Sequence, residues 1–260
     1  MIDLKGIFRK NRPILSALAF VGAIVLILWT VNSPAIVGAA ATQRLLPVYS
    51  VERQEKIVAI SFDAAWGNED TQTLIDILNQ YGVRATFFVV GDWAERYPES
   101  VKALAAAGNE VMNHSSSHAH FSSLSEDQIR EDLIACNSRI AELTGTEPTL
   151  VRCPYGEYDD HVIQAIRNIG MTAIQWDVDS LDWKGLSAEE IQSRVLDRIQ
   201  PGSIVLFHNA AEHTPEALPG ILEQLLAEGY QVVPVSELLL DGETTIDHTG
   251  RQLPAGGRAQ

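Results

Sequence analysis

The chain has 260 residues and a formal net charge of −15, with 34 acidic side chains against 19 basic ones. This acidity argues against nucleic acid, or an anionic membrane surface, as the partner of the folded part. Its two cysteines, Cys136 and Cys153, are too few for a disulfide framework. We expect Cys153 to be a small packing residue, and a Cys136–Cys153 bridge stays open.

The N-terminus has the pattern of a membrane segment. An uncharged stretch runs from Pro13 to Ala41, and its apolar part, Ile14 to Val31, is long enough to span a bilayer core. Four basic residues precede it: Lys5, Arg9, Lys10 and Arg12. Because a positive flank stays in the cytoplasm, we predict that residues 1–41 anchor the chain and place the remainder outside. The small residues at 39–41 leave an alternative open, a secretory signal that is cleaved.

The rest of the chain reads as one α/β domain between a linker (42–56) and a polar, Gly-rich tail (241–260) expected to be disordered. From 57 to 240, apolar strand-like runs alternate with amphipathic helices, which predicts a parallel sheet. The predicted strands centre on Ala59, Phe88, Val111, Val151, Ile174, Val205 and Val233. The predicted helices span residues 70–81, 94–107, 125–143, 159–168, 188–199 and 215–228. Ser125 and Gln128 form a capping-box sequence at the third helix.

Reactive side chains follow five of the apolar runs. His114 and His118 lie four residues apart after one run, and imidazole is a common ligand of zinc. The other runs end in reactive groups at four places: Asp63, Arg152 to Gly156, Asp179 to Trp183, and His208. Loops after successive parallel strands converge in a β/α barrel, so we expect these groups to meet at one end. Taken singly, they remain open to ordinary explanations, such as helix capping by Asp63.

The five groups, in this order, resemble the motifs of the polysaccharide deacetylase (NodB-homology) family of carbohydrate esterases. The matching segments are Asp63-Ala64, His114 to His118, Arg152 to Gly156, Asp179 to Trp183 and Leu206 to His208. The resemblance covers residues 57 to 240. It implies a distorted, incomplete (β/α) barrel of about seven parallel strands, and a metal-dependent hydrolase that cleaves acetamide groups from glycans.

The resemblance assigns the proton-transfer groups. It implies that Asp63 is the general base and that Arg152 pairs with it and keeps it ionised. It also implies that His208 is the general acid, protonating the leaving nitrogen, with Asp182 holding the imidazole charged and correctly oriented.

The resemblance also assigns a metal site and a substrate pocket. His114 and His118 would hold a divalent metal, with zinc the first choice and cobalt or manganese as alternatives. The backbone N–H of Tyr155 would bind the oxyanion, and Trp183 and Leu206 would enclose the acetyl methyl group.

One departure from the family pattern concerns the metal. Ala64 stands where the family has a metal-binding Asp, and Ala65-Trp66-Gly67 replaces the usual Gly-Pro. We therefore predict weak metal binding, with Asn113 and His120 as unproven substitutes for the missing ligand. The same variant resembles the sporulation-type branch of the family. Four histidines match no motif and are expected to be structural or solvated: His120, His161, His213 and His248.

These observations predict a membrane-anchored, metal-dependent deacetylase of N-acetylated cell-wall glycan, with peptidoglycan favoured and its catalytic domain outside the cytoplasm. Two alternatives stay open. The same machinery could act on O-acetylated or chitin-type glycan. The barrel could also be catalytically weak or inactive and bind glycan during spore or envelope assembly. Ala64 keeps this alternative open, because it replaces a metal ligand.

Overall fold

The computed structural model describes residues 21–24, 29 and 44–256, and the chain divides into two compact units, Met1–Arg44 and Leu45–Gln260. In the first unit, residues 21–24 and 29 are helical. Within the described residues, no helix is both long and apolar enough to cross a membrane. Most of the span predicted from Ile14 to Val31 lies outside the described residues, so the anchor stays a prediction.

The second unit alternates strands and helices. Its strands are β1 (Ser50–Val51), β2 (Ile57–Ala64), β3 (Thr86–Val89), β4 (Glu110–Asn113), β5 (Leu150–Val151), β6 (Thr172–Ala173), β7 (Val178–Asp179), β8 (Ile204–His208), β9 (Gln231–Val233), β10 (Thr244–Ile246) and β11 (Arg251–Pro254). Its helices are α1 (Thr71–Gln80), α2 (Gly91–Arg96), α3 (Pro98–Ala106), α4 (Glu126–Thr144), α5 (Asp160–Asn168), α6 (Ala188–Leu196), α7 (Thr214–Ala227) and α8 (Val235–Leu238).

Seven strands form the path of a curled, open half-barrel in the order β6-β5-β4-β3-β2-β8-β7, and β9 pairs with the first residues of β2. All pairs in this sheet are parallel. The prediction of an incomplete (β/α) barrel is therefore confirmed. Strand β7 was not predicted, because its two residues lie in a polar run with no apolar periodicity.

The centre of the sheet is β2, which is buried along nearly its whole length. Phe62 stacks on Phe87 of β3 and on Phe207 of β8, with ring centroids 4.7 Å and 5.6 Å apart. These aromatic contacts pin the three strands together just before the strand ends. The residues that follow Phe62 and Phe207, which are Asp63 and His208, are thereby fixed at the same edge of the sheet.

Every predicted helix is present, although one of them is divided in two, and the short helix α8 was not predicted. The capping box of Ser125 and Gln128 is present at the start of α4. The single helix predicted over 94–107 is two helices, α2 and α3, separated at Tyr97. Pro98 begins the second one, and the residue before a proline is disfavoured in helical conformation, so Tyr97 leaves it with φ −128° and ψ 55°.

Both flanks of the predicted domain are partly folded onto it. β11 pairs in parallel with β1 and antiparallel with β10. The expectation of disorder beyond Asp241 is therefore wrong for residues 244–254. The hairpin is closed by Asp247, whose side chain accepts hydrogen bonds from the backbone of Thr249 and Arg251. A local side-chain turn of this kind can form in a polar, Gly-rich stretch that lacks strand periodicity.

The two cysteines are buried and unbridged. Cys136 belongs to the core around β2, whereas Cys153 packs in a separate cluster with Val151 and Ile163. Burial raises the pKa of both thiols to about 12. The packing role predicted for Cys153 is confirmed, and the open possibility of a Cys136–Cys153 bridge is not realised.

Candidate active site

The carboxyl ends of the central strands surround a cavity of about 550 Å³. Asp63 and His208 are register partners on β2 and β8, so their side chains leave the sheet on the same face, toward the cavity. Apart from Arg152 and Asp182, which are buried against these two residues, every predicted site residue lines the cavity. The predicted residues in the lining are Asp63, His114, His118, Tyr155, Trp183, Leu206 and His208, and Ala65, Trp66, Gly156, Trp176 and Asp179 complete it.

A buried ion pair lies at one side of the cavity. Arg152 Nη1 donates to Asp63 Oδ1 at 2.8 Å, with 0% of the arginine side chain and 8% of the aspartate side chain exposed. Arg152 Nη2 donates to Ser61 Oγ at 2.9 Å and to the carbonyl of Gln175 at 3.1 Å. The guanidinium also lies 4.2 Å from the ring centroid of Phe88. Arg152 is thus held in place on several sides.

The charge state of Asp63 follows from this pairing. Burial favours the neutral carboxyl, but the charge and the hydrogen bond of Arg152 outweigh burial and lower the pKa of Asp63 below its ordinary value. Asp63 is therefore ionised at neutral pH and can accept a proton.

The two motif histidines lie beside this carboxylate as neutral rings. His114 Nδ1 is 2.8 Å from the carbonyl oxygen of Arg152, so Nδ1 carries the proton and Nε2 is free, 3.5 Å from Asp63 Oδ2. The ring centroids of His114 and His118 are 5.0 Å apart. Burial lowers the pKa of His114, and burial with the neighbouring His114 lowers the pKa of His118 to about 4. Neutral imidazole is the form that binds a metal.

The loop that carries the two histidines is strained and tightly held. Ser115 and His118 adopt positive φ values of 72° and 57°, which non-glycine residues rarely do. Asp132 of α4 accepts a hydrogen bond from the backbone N–H of Ser116 at 2.8 Å and another from Ser115 Oγ at 3.2 Å. These hydrogen bonds from α4 stabilise the strained backbone conformation of the loop.

A second buried pair stands at the other side of the cavity. His208 Nδ1 lies 2.8 Å from Asp182 Oδ1. Asp182 Oδ2 accepts from the backbone N–H of His208 at 2.8 Å and from Thr214 Oγ1 at 2.7 Å. Burial disfavours a charged imidazole, but the hydrogen bond and the charge of Asp182 outweigh it and raise the pKa of His208. His208 is therefore suited to donate a proton.

The mouth of the cavity is aromatic. Tyr155 and Trp183 are 58% and 56% exposed, whereas Leu206 is buried at the base. Tyr155 lies in the turn Pro154–Gly156 with a positive φ of 59°, which turns its backbone away from regular structure. The added Cβ of any other residue at Gly156 would approach Trp176 to 3.0 Å. The absence of a side chain at Gly156 thus lets the Pro154–Gly156 turn pack closely against Trp176, which also lines the cavity.

The two proposed substitutes for the missing metal ligand are engaged elsewhere. Asn113 donates to the carbonyl of Leu133 and to Asn137 Oδ1 in a buried network beneath the loop. His120 stacks on Tyr155, with ring centroids 4.1 Å apart, and lies 2.9 Å from Glu157. Neither side chain is directed to the space between His114 and His118.

Sequence reasoning missed residues that support the site. Ser61 and Gln175 hold Arg152, and Trp66 stacks on His208. Ser61 and Gln175 lie outside the matched motifs, and the carbonyl of Gln175 is a backbone group, so sequence identity carries no signal for it. Trp66 had a signal, the replacement of Gly-Pro after Asp63.

The donors match a divalent metal in chemistry but fall short in number. Catalytic zinc usually has three protein ligands. Across the described part of the chain, no group of three or more His, Cys, Asp or Glu side chains is arranged to hold a metal ion. Ala64 points away from the cavity and packs in the apolar core. His114 and His118 therefore form a two-imidazole set, beside a carboxylate that Arg152 already binds.

The chain is similar in sequence to known glycan deacetylases. The model of the family described as Polysaccharide deacetylase matches residues 50–174. The chain is 34% identical over 185 residues to a peptidoglycan-N-acetylglucosamine deacetylase of Bacillus cereus, covering 70% of this chain and 67% of that protein. This chain belongs to the polysaccharide deacetylase family. The family consists of hydrolases, and it also has pseudoenzyme members.

Two further relatives show the range of this family. The peptidoglycan-N-acetylmuramic acid deacetylase PdaC of Bacillus subtilis is 34% identical, and the match covers 73% of this chain but only 40% of PdaC. The crystal structure of BA3943, a family pseudoenzyme from Bacillus anthracis, superposes with a TM-score of 0.71 at 34% identity, covering 74% of this chain and 68% of that chain. The chain thus spans about two thirds of the length of the Bacillus cereus enzyme and two fifths of the length of PdaC.

Proposed function

We propose that this chain hydrolyses the acetamide groups of an N-acetylated cell-wall glycan, with peptidoglycan the favoured substrate. The observation that carries the proposal is the pairing across one cavity of an ionised carboxylate, Asp63, with an imidazole of raised pKa, His208. Amide hydrolysis needs a base that is ionised and an acid that is protonated at the same pH. The lowered pKa of Asp63 and the raised pKa of His208 meet this requirement.

The proton path follows from these two residues. Asp63 takes a proton from the attacking water, and Arg152 keeps the carboxylate ionised until that moment. His208 then donates a proton to the leaving nitrogen, so that the sugar departs as an amine. Asp182 holds the imidazole by Nδ1, which leaves Nε2 for the substrate.

The remaining residues bind the acetyl group. The backbone N–H of Tyr155 donates to the oxyanion, whose developing charge it stabilises. Leu206 and Trp183 contact the methyl group, which is small enough for the apolar end of the cavity. His114 and His118 would hold a divalent metal, which would lower the pKa of a bound water and polarise the carbonyl.

The finer parts of the proposal rest on sequence features. Zinc is the first choice of metal, with cobalt or manganese as alternatives and weak binding expected. The Ala65-Trp66-Gly67 segment supports a link to sporulation, through its resemblance to that branch of the family. The basic flank and apolar stretch of residues 1–41 support a membrane anchor with the catalytic domain outside the cytoplasm. A match to peptidoglycan deacetylases at 34% identity supports the substrate class.

A second candidate function is glycan binding with little or no catalysis. Two observations favour it: Ala64 offers no ligand, and the chain is 34% identical in sequence to a family pseudoenzyme over most of its length. In that case the aromatic mouth, with Tyr155 and Trp183, would bind sugar rings without cleaving the acetyl group.

The deciding experiment measures acetate release by the full chain from N-acetylglucosamine oligomers, peptidoglycan, and chitin-type and O-acetylated glycans, with zinc, cobalt or manganese added. We expect release from peptidoglycan that falls at least a hundredfold in Asp63→Asn, because general-base catalysis contributes about 10²–10⁴. Asp76→Asn, an exposed aspartate of α1, is the matched control and should retain activity. Glycan binding without acetate release under any metal would establish the second candidate instead.

A metal titration tests the proposed ligands separately. We expect His114→Ala to lower cobalt binding, because His114 has a free Nε2 at the cavity. His120→Ala should change it little, because that ring is bound to Glu157 and Tyr155. Equal loss in both variants would mean that the ligands have been chosen wrongly.

A fractionation experiment tests the anchor. The full chain should sediment with membranes, and a chain beginning at Thr42 should not. A mature protein that starts near Thr42 and is found only in the soluble fraction would favour the cleaved signal.

A further inference from the structure

Trp66 is an exposed aromatic residue at the cavity to which the motif pattern assigns no role. It is 47% exposed, and its ring lies nearly parallel to the ring of His208, at an angle of 12° and a centroid distance of 5.9 Å. The rings of Trp66 and His118 are arranged edge to face, with an interplanar angle of 72° and a centroid distance of 6.4 Å. Trp66 therefore contacts residues on both sides of the site.

The backbone that carries Trp66 is anchored by two side chains. Trp93 of α2 donates from Nε1 to the carbonyls of Trp66 and Gly67, at 2.8 Å and 2.6 Å. Asn209 donates to the same two carbonyls and accepts from the N–H of Ala65 at 3.2 Å. Since Asn209 directly follows His208, the loop bearing Trp66 is tied to the strand end that bears the imidazole.

Gly67 permits this close approach. A Cβ added there would lie 2.6 Å from the Cβ of Ala210, a distance that real side chains do not reach. The loop after β2 thus passes directly against the loop after β8. The backbone from which the indole projects is thus held in place by the fold.

His208 needs such a contact. Among the described residues, the His208 ring forms one hydrogen bond, the Nδ1 contact with Asp182, and a ring held through one nitrogen can still tilt about that bond. We propose that Trp66 is a positioning residue for His208: its indole face fixes the plane of the imidazole, so that Nε2 points into the cavity. An aromatic face also attracts a charged imidazole, the form that the hydrogen bond and charge of Asp182 favour by raising the pKa of His208.

The test compares wild type, Trp66→Ala and Trp66→Phe in the full chain, with Leu226→Ala as a control at another exposed apolar side chain. The first readout is the NMR signals of the His208 side chain in histidine-labelled protein without substrate. Trp66→Ala should change these signals and Trp66→Phe should change them less, while the signals of His161 and His248 stay in place. Unchanged His208 signals in Trp66→Ala would overturn the proposal.

The second readout rests on the proposed function, since it uses turnover of N-acetylglucosamine oligomers. We expect kcat to fall about ten- to a hundredfold in Trp66→Ala with a smaller change in KM, and Trp66→Phe to recover most of the loss, because a misplaced acid costs this much. A rise in KM with unchanged kcat would overturn positioning and make Trp66 a sugar-binding platform. A wild type inactive on every glycan would contradict the proposed function, and the NMR signals would still decide the role of Trp66.

Discussion

Asp63 keeps its charge inside the protein because Arg152 lies against it, and Arg152 in turn has no route to solvent. Breaking such a pair is costly, since the remaining charge stays buried without a partner. The pair therefore links the proposed catalysis to stability. The carboxylate proposed to accept the proton also neutralises a fully buried guanidinium.

The first prediction concerns this pair. Asp63→Asn should lower the free energy of unfolding by about 3–5 kcal/mol, because it leaves Arg152 unpaired. Glu237→Gln breaks an exposed ion pair with Arg84 and should cost at most about 1 kcal/mol. Urea unfolding of both variants measures the difference. Equal small losses would show that the buried pair contributes no net stability.

The same variant has a pH signature. The pKa of Asp63 is lower in the folded chain, so its contribution is present above the ordinary aspartate pKa and is lost as the pH falls through the lowered value. The stability gap between wild type and Asp63→Asn should therefore narrow toward acid pH. A gap that stays constant down to strongly acidic pH would contradict the assigned charge state.

The second prediction concerns Asp182. An asparagine there can still accept the Nδ1 hydrogen bond but carries no charge, so Asp182→Asn should lower the pKa of His208. Because the acid must be protonated, the alkaline limb of the pH profile of kcat/KM should move to lower pH, while Asp76→Asn leaves it in place. An NMR titration of His208 measures the same shift directly, and an unmoved pKa would refute it.

The stabilising effect of His208 has the opposite pH dependence from that of Asp63. Its pKa is raised in the folded chain, so its contribution is complete below the ordinary histidine pKa and is lost as the pH rises through the raised value.

Among the elements, α4 has a role beyond packing. It carries Asp132, which holds the strained loop between His114 and His118. It also carries Asn137, which binds Asn113 beneath the same loop. The spacing of the two imidazoles is thus maintained by a helix that supplies no residue to the cavity.

The third prediction tests this support. Asp132→Ala should weaken cobalt binding about 10–100-fold, the usual cost of removing a partner that orients metal ligands. Asp127 lies on the same helix with 84% of its side chain exposed, so Asp127→Ala should leave the affinity for cobalt unchanged. Isothermal titration with cobalt compares the two. Equal affinities would mean that the loop keeps its conformation without α4.

Over the whole folded unit, the segments before and after the barrel are joined to each other. Tyr49 and Glu52 donate backbone hydrogen bonds to the carbonyls of Gly250 and Gln252, at 2.8 Å and 2.9 Å. Arg251 forms an ion pair with Glu52 at 2.7 Å. Val48 continues this connection to the barrel by bridging Ile174. The C-terminal strands therefore belong to the folded unit.

The fourth prediction follows from these bonds. Ending the chain after Leu240 should lower the free energy of unfolding by about 2–3 kcal/mol, since each lost hydrogen bond contributes about 1 kcal/mol. Ending it after Gly256 keeps β10 and β11 and should change little. Thermal unfolding of the two truncated chains decides the matter, and matching stabilities would show that the small sheet is dispensable.

The barrel and most of the site could be predicted from the sequence for a local reason. The periodicities that indicate strands and helices can be recognised within short stretches of sequence. Parallel strands bring their carboxyl ends to one edge of the sheet. That is why Asp63, His114, His118 and His208 could be expected to meet. The resemblance to a known family supplied their roles, which no periodicity contains.

The supporting contacts depend on residues far apart in the chain and were visible only in three dimensions. Trp66 meets His208 because the loops after β2 and β8 are pressed together. Asp132 binds the histidine loop from a helix, and β11 pairs with β1 although almost the whole folded unit separates them along the chain. Such contacts arise when the sheet curls and the helices pack on it. The hydrophobic pattern that drives this packing does not specify which polar groups come within hydrogen-bonding distance.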